Sequence, residues 1–478
     1  MAGGINSVLS QAKSALAAAQ VAMNTTAKNV SNVNTDGYSR QRVELVAGAP
    51  EEYGRLRIGG GVDVGSVSRS TNEFVNRRLV DEQSSLGRYQ GLSDIYAQLE
   101  MVFKDEGEGS VSGTVSQFFN NLRTLSSQPD SVPLRTAVRE SAKGVTSRFR
   151  TMSDSIDQVV NDIDRRVEGG IAEVNRLTER IASLNAQITS IEVRGATVSA
   201  NDERDQRDMA VNALSKLMDI KTTKLENGGI NVTVGNLGPL VMGTDRQELG
   251  AFRAPNEGGA PDSMRVFLMS PHNVTPPKDV TDRFSSGEVG GLLHLRENVI
   301  PEFRDQIDSM AYNLSSEVNA IHRDSFTRNG QKGVSFFAEP ASLRGASAGM
   351  QLSDEVEQDV GNIATAELQN AAGDNRALLK MTELETAKIF NGGRSSFSDM
   401  ASNITGSLGV QVRAANDGLE TQRGVVEQLD TLRKTASGVS LDEEAMNMLK
   451  FQKAFDASAK MIQVADQMMD TVINLKRF

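Results

Sequence analysis

Apolar residues recur at alternating steps of four and three through both ends of this 478-residue chain. At the N-terminal end the series is Ile5, Leu9, Ala12, Leu16, Ala19, Met23, Thr26, Val30 and Val33. It is a heptad seam on a helix predicted over residues 5–33, which would span roughly 44 Å at 1.5 Å per residue. At the other end Leu441, Met448, Phe455, Ile462 and Met469 recur every seven residues, and Phe451, Ser458, Ala465 and Val472 form the second line. Ser440 followed by Glu443 reads as a capping box, with Asp442, Glu443 and Glu444 in the first turn and Lys476 and Arg477 at the far end. Chain ends usually fray, yet these carry the most regular seams in the sequence. Such helices either pair with each other or receive partner helices in an assembly.

Between the ends the pattern is mainly helical, with a smaller β-rich part. The run Asn34-Thr35-Asp36-Gly37 stops the first helix and leads to Tyr38, a candidate buried anchor. A short strand is expected at residues 42–45, then a Gly-rich loop or turn over 47–66. Helices are predicted over 72–104 and 111–127. A long helical stretch follows over 132–193, weakened at Gly169-Gly170, and another helix over 202–219, whose charged run from Asp202 to Asp208 reads as a solvated face. Residues 221–290 change texture, with strands expected at 229–234, 239–242 and 263–269. Helix resumes at Pro301, a good first-turn residue, and continues to His322. Further helices are expected over 377–390 and 397–436. Mainly helical character agrees with a sequence that has no Trp and only 5% aromatic residues.

Several function classes are excluded. With no cysteine there is no disulfide, thiolate metal site or cysteine nucleophile. The three histidines, His272, His294 and His322, are too dispersed for a histidine metal site. The spacing of Asp162, Asp164 and Glu168 lacks the glycine of a calcium loop and falls within a helix. No local catalytic motif or phosphate loop stands in a suitable context, so no catalytic, cofactor-binding or metal residue is expected and the chain reads as a non-enzyme. A net charge of −11 disfavours nucleic acid. No apolar run is long enough to span a bilayer. Residues 1–20 lack the features of a cleaved secretory signal.

Both ends resemble the signature segments of the bacterial flagellar axial family of rod, hook and hook-associated proteins. The first match is AAQVAMNTTAKNVSNVNTDGYSRQ, residues 18–41, with Asn29, Asn32, Asn34, Thr35, Gly37 and Tyr38 at the motif positions. The second is residues 438–475, with Leu441, Asp442, Glu443 and Glu444 and then Gln452, Ala454, Ala457, Ala459 and Leu475. The run Tyr38-Ser39-Arg40-Gln41 is similar to the hook-associated branch at the hook–filament junction more than to rod or hook proteins. So are three internal runs: Asp205-Gln206-Arg207-Asp208, Gly290-Gly291-Leu292-Leu293 with Arg296, and Val318-Asn319-Ala320-Ile321-His322 with Gly330, Gly333, Phe336 and Phe337.

The resemblance implies co-located chain ends. Residues 1–45 and 438–478 would form an inner helical domain, D0, which orders on assembly. Residues 46–220 and 291–437 would form a mainly helical D1. Residues 221–290 would be part of D1 or a small surface domain, and a large outer insertion after Phe336-Phe337 would be absent. It implies a structural adapter located at the flagellum, exported by the type III route without a cleaved signal. Its partners would be other copies of itself, hook protein, a second hook-associated junction protein and an export chaperone. The residues expected to carry assembly are Leu9, Leu16, Met23, Val30, Met448, Phe455, Ile462 and Met469, with Asn32, Asn34, Gly37 and Tyr38 at the turn.

Overall fold

A computed structural model describes residues 2–53, 56–103, 110–193, 195, 199–235, 237–254, 263–269, 276–371, 373–390 and 392–475. His272, Lys476 and Arg477 lie outside the described residues. In chain order, α1 (Ala2–Ser31) leads to β1 (Gln41–Ala47), β2 (Glu51–Tyr53), β3 (Leu56–Ile58) and β4 (Val62–Arg69). Four helices follow: α2 (Glu73–Phe103), α3 (Val111–Ser127), α4 (Val132–Glu192) and α5 (Asn201–Leu217). The β-rich part contains β5 (Ile220–Lys224), β6 (Ile230–Val234), β7 (Gly238–Met242), β8 (Asp245–Arg246), β9 (Glu248–Ala254), β10 (Ser263–Met269) and β11 (Lys278–Asp279). The remainder is α6 (Gly287–His294), α7 (Ile300–Asp324), α8 (Asp354–Gln358), α9 (Arg376–Glu383), α10 (Phe397–Ser437) and α11 (Leu441–Leu475). The mainly α expectation and the long helices at both ends are borne out.

The body is organised along α4, which at 61 residues runs for about 90 Å. Its buried stripe, from Val138, Ala142, Val145 and Phe149 to Ile181, Leu184 and Ile188, steps by three and four throughout. Against it pack α3, α5, α6 and α7 and the edges of the sheet strands, while α10 lies along α2. The strands β5–β8 form an antiparallel meander, and β9–β11 form a second small sheet. Their inward residues Val232, Val241, Leu249 and Val266 belong to the same hydrophobic cluster as the helices.

Expectations for the body are corrected at four places, besides the helix expected over 377–390, which ends at Glu383. The Gly169-Gly170 pair does not interrupt α4. A Cβ at Gly170 would crowd Val289 of α6, so the missing side chain permits a close helix approach, and tertiary packing offsets glycine's poor propensity. Residues 47–66 are not only loop: β1 pairs antiparallel with β4 through a register shift at Glu44/Leu45, and β2 with β3. Helix resumes at Gly287 rather than Pro301, because Gly290 and Gly291 hide the signal that Val289, Leu292 and Leu293 supply by burial. A π-helical turn at Leu295–Val299 then precedes Pro301, which has no N–H to give. The fourth correction, the charged run at 202–208, belongs to the site described below.

Two polar side chains on α7 explain the run Val318–His322 and its distant Phe pair. Asn319 Oδ1 accepts the N–H groups of Phe336 (2.8 Å) and Phe337 (2.9 Å), and its Nδ2 donates to the Phe337 carbonyl (2.9 Å). His322, fully buried, accepts the Ala364 N–H at Nε2 (2.8 Å) and meets the Val334 carbonyl through Nδ1. Phe336 and Phe337 pack with Phe118, and His322 lies edge-on to Phe336. His322 is thus a core histidine rather than a ligand. The paired carboxylate spacing at 162–168 is likewise spoken for, since buried Asp164 binds Arg253 (2.9 Å) and Arg296 (3.0 Å).

Burial lowers the His322 pKa from 6.5 to about 4, with nearby Arg135 acting in the same direction. The folded state therefore favours neutral imidazole. This contribution is complete above pH 6.5 and is lost as pH falls from 6.5 toward 4, by up to about 3 kcal/mol. Denaturant unfolding at pH 7 and pH 4.5 should show the loss, and NMR should show the His322 imidazole still neutral at pH 5. An ordinary titration of His322 near 6.5 would contradict this account.

Candidate assembly site at the chain ends

The two terminal helices pack against each other along their length. The end of α1 meets the start of α11, as the bond from Asn29 Nδ2 to Glu444 Oε2 (3.2 Å) records, so the pair is antiparallel. On α11 the predicted seam faces inward: Met448, Phe455, Ile462 and Met469 are half-buried, and Ser458 and Ala465 on the second line are buried. On α1 the seam is rotated from its expected place. Ala12, Ala19 and Thr26 are buried as expected, but the second buried line is Ala18, Ala22, Thr25 and Asn29. Leu9, Leu16 and Met23 are only half-buried, and Val30 is 38% exposed. Small residues let the two backbones approach, and this turns the larger apolar side chains of α1 toward the rim of the contact.

Large apolar residues also remain outside the seam of α11. Met446, Leu449, Met461, Val464 and Met468 are all exposed. Met461, Val464 and Met468 step by three and four, so they form a second stripe on the same helix.

The pair joins the body through the turn at 32–40. Asn32 Nδ2 donates to the Lys28 carbonyl (2.9 Å), and Thr35 Oγ1 donates to Asn32 Oδ1 (3.1 Å), while Asn34 and Thr35 are exposed. Gly37 has φ +77°, and a Cβ there would collide with the Met209 thioether, so both the backbone and the space require glycine. Tyr38 is half-buried and donates its hydroxyl to Asn29 Oδ1 (2.8 Å). Burial raises its pKa, and Asp202, Asp205 and Glu444 add to the rise. The next residues attach to three elements. The Ser39 N–H donates to Asp205 (3.0 Å), the Arg40 N–H donates to the Ser437 carbonyl (2.8 Å), and the Arg40 side chain meets Glu443 (2.5 Å) and Glu444 (2.8 Å). Gln41 Nε2 donates to Asp202 (3.1 Å), which also pairs with Lys28 (2.8 Å).

Here the reading of residues 202–208 as a solvated face fails. Asp205 is 5% exposed and Arg207 2% exposed. Asp205 accepts from Ser39 and binds Arg69 (2.7 Å), which also reaches Asp208 (2.9 Å). Burial raises the Asp205 pKa, against the lowering by Ser39 and Arg69. Arg207 donates to Asn185 Oδ1 and the Gly228 carbonyl, both at 2.9 Å, and so ties α5 to α4 and to the β5–β6 turn. The signal was present in the sequence: Arg207 lies four and seven residues before Val211 and Leu214, on the apolar line of α5. Arg69 and Met209 are joint residues that the sequence alone does not single out, whereas Arg40, Gln41, Asp202 and Asp205 stand in the sequence only as members of longer runs, with no contact assigned to them. The acidic start of α11 is also divided. Leu441, Asp442 and Glu443 are exposed, whereas Glu444 is 2% exposed. The Glu443 N–H reaches Ser440 Oγ at 3.5 Å, but the Glu443 carboxylate goes to Arg40.

The arrangement is a mechanical joint with an adjoining apolar helix pair. Among the described residues no group of His, Asp or Glu side chains is placed to hold a metal ion, and no helix is long and apolar enough to cross a membrane.

The model for the flagellar hook-associated protein FlgK helical domain matches residues 96–337. Flagellar hook-associated protein 1 of Bacillus subtilis is 30% identical over 497 positions, which cover 98% of this chain and 97% of the relative. The chain belongs to the flagellar hook-associated protein 1 family. Its member from Salmonella typhimurium is 25% identical over 566 positions, covering 99% of this chain and all of the relative. That alignment is longer than this chain, so the Salmonella member carries insertions that this chain lacks. The models for the flagella basal body rod protein and for the flagellar basal body rod FlgEFG protein C-terminal match residues 9–38 and 435–475, the segments that meet at the joint. The structure of the flagellar hook junction protein FlgK from Burkholderia pseudomallei has the same fold, with a TM-score of 0.67 at 14% identity over 76% of this chain and all of that one. The protein is accordingly a structural component of the flagellum, of the hook–filament junction type.

Gly37→Ala should weaken the joint by about 1–3 kcal/mol through backbone strain and collision with Met209. Fewer filaments per cell are expected, with partial recovery in Gly37→Ala/Met209→Ala, where only the strain remains. Equal counts in the single and double variants would remove the Met209 contact from the explanation.

Proposed function

We propose that this chain is a non-catalytic adapter that assembles as a ring at the hook tip and permits filament growth. One surface meets hook protein and the other a second hook-associated junction protein. Export follows the flagellar type III route without a cleaved signal, and a chaperone shields the C-terminal apolar face beforehand. Residues 1–45 and 438–478 act as D0 and order fully on assembly. Residues 46–220 and 291–437 act as D1, with 221–290 built into it, and the large outer insertion after Phe336-Phe337 is missing.

The observation that carries this reading is the apolar surface left on the terminal pair. The fully buried positions of the pair are mainly Ala, Ser and Thr, while Met448, Phe455, Ile462 and Met469 are only half-buried, and Met461, Val464 and Met468 stay exposed on α11 and Val30 on α1. Neighbouring subunits would cover such a surface, each buried side chain contributing roughly 1.5–3 kcal/mol. Heterologous contacts of this kind build rings or helical tubes. Leu9, Leu16, Met23 and Val30 supply the rim of α1, and Met448, Phe455, Ile462 and Met469 hold the partner helix in place. Asn32, Asn34, Gly37 and Tyr38 shape the turn.

Deleting the gene should leave bare hooks on the cells and unpolymerised flagellin in the medium. Absence of hooks would move the protein down to the rod or hook, and normal filaments would sink the axial role. A finer test is Ile462→Asp, which sets a charge in the seam of α11. It should abolish assembly while the melting transition of the body is retained; normal filaments from this variant would refute the seam.

A further inference from the structure

We infer that Asn29 is the positioning residue that clamps the terminal helix pair at one angle to the body, which makes the joint a rigid corner rather than a hinge. The inference rests on the reading of this pair as the assembly element. Asn29 is 1% exposed, although it lies in the last turn of α1, on a buried face otherwise made of Ala18, Ala22 and Thr25. Its side-chain amide meets four partners. Oδ1 accepts from the Gln41 N–H (2.9 Å) and from the Tyr38 hydroxyl (2.8 Å). Nδ2 donates to the Gln41 carbonyl (2.9 Å) and to Glu444 Oε2 (3.2 Å).

The pattern has directional content. Gln41 is the first residue of β1 and pairs with Arg69 of β4 on one side. On its other side, the Asn29 amide takes up both of its backbone polar groups, as a neighbouring strand would. The same amide reaches α11 through Glu444 and the turn through Tyr38. One side chain therefore fixes α1 to the body's first strand, to the partner helix and to the connecting turn together. An amide is required, since two donors and two acceptor positions are all used. Asp would present an acceptor to the Gln41 carbonyl and to the Glu444 carboxylate. Leu would leave Gln41, Tyr38 and Glu444 short of partners in a buried site. Arg40 adds a second fastening between the same parts, through its backbone N–H to Ser437, its carbonyl to the Ser70 N–H, and its side chain to Glu444.

The chain has no cysteine, so Ala17→Cys on α1 and Glu179→Cys on α4, both at exposed positions, give a unique pair for spin labels. Labelled full-length chain, diluted with unlabelled chain, is assembled on hooks and the inter-label distance distribution is measured by pulsed electron resonance. A single narrow distribution is expected for the parent. Asn29→Asp should broaden it at least twofold and lower the filament count. Asn29→Asp/Glu444→Gln should narrow it again, because the amide introduced on α11 supplies a donor to the new carboxylate. Tyr38→Phe, which removes one donor and little volume, should broaden it less. A broad distribution in the parent, or one that stays narrow in Asn29→Asp, overturns the inference. Failure of the parent itself to incorporate would instead count against the assembly reading, a separate outcome.

Discussion

A buried carboxylate, Asp205, holds the place where the chain ends meet the body. Removed from water, it is stable as an acceptor only because the Ser39 N–H and the Arg69 guanidinium both serve it. Ser39 belongs to the segment leaving α1, Arg69 ends β4, and Asp205 itself lies near the start of α5. A single site therefore fastens three elements that are distant in sequence. The turn between α1 and β1 is then completed by short-range fits, of which the tightest is Gly37 over Met209. Breaking one partner of such a buried pair costs about 3–5 kcal/mol, far more than a surface ion pair contributes. The exposed contacts around it, such as Lys28 with Asp202, trim the geometry but do not set it.

The terminal pair beyond this joint is built differently from the body. In the body, α4 buries large side chains at almost every inward step. In the pair, the fully buried positions are mainly small: Ala12, Ala18, Ala19, Ala22, Thr25 and Thr26 on α1, which also packs on β1 and β4, and Ser458 and Ala465 on α11. Small residues bury little area per contact, and the larger Met448, Phe455, Ile462 and Met469 are only half-buried, so much of the pair's apolar area stays in water. The larger side chains of α1 are displaced to the rim, and α11 keeps a second apolar stripe in water. A helix with two apolar faces and one partner is half-satisfied. That combination, a firm joint carrying a helix pair that is incompletely covered, suits an element whose final partners arrive from other subunits.

How much of this is legible in the sequence differs by region. Long periodic helices can be read nearly to their ends, because a stripe such as the one on α4 repeats many times and errors at single residues do not matter. The strands at 230–234 and 263–269 are legible for the same reason, from alternation. What is lost depends on contacts distant in sequence. Gly170 and Gly291 look like helix breakers until the neighbouring helix that needs the space is known, α6 at Val289 for the first and α2 at Arg88 for the second. The run 202–208 looks solvated because charge is normally exposed; only the arrival of Ser39 and Arg69 makes Asp205 a buried acceptor. The expected seam of α1 lies one line away from its buried face, because large apolar residues signal an inward face more strongly than alanines do. The turn motif is recognisable as a set, but its hydrogen bonds separate Asn29, fully engaged, from exposed Asn34.

The same contrast explains why a helix pair with exposed apolar stripes has polar residues at its base. Apolar contacts between smooth helix faces are non-directional and tolerate rotation and sliding. A protein that must pass a fixed geometry from a helix pair to a body about 90 Å long cannot leave that angle to such contacts, since a small rotation at the corner becomes a large displacement at the far end of α4. Hydrogen bonds to backbone groups are short and directional. Asn29 to Gln41, Ser39 to Asp205 and Arg40 to Ser437 place three of them within a few residues of one another. The apolar stripe of α11 can then stay adaptable while these bonds hold the corner.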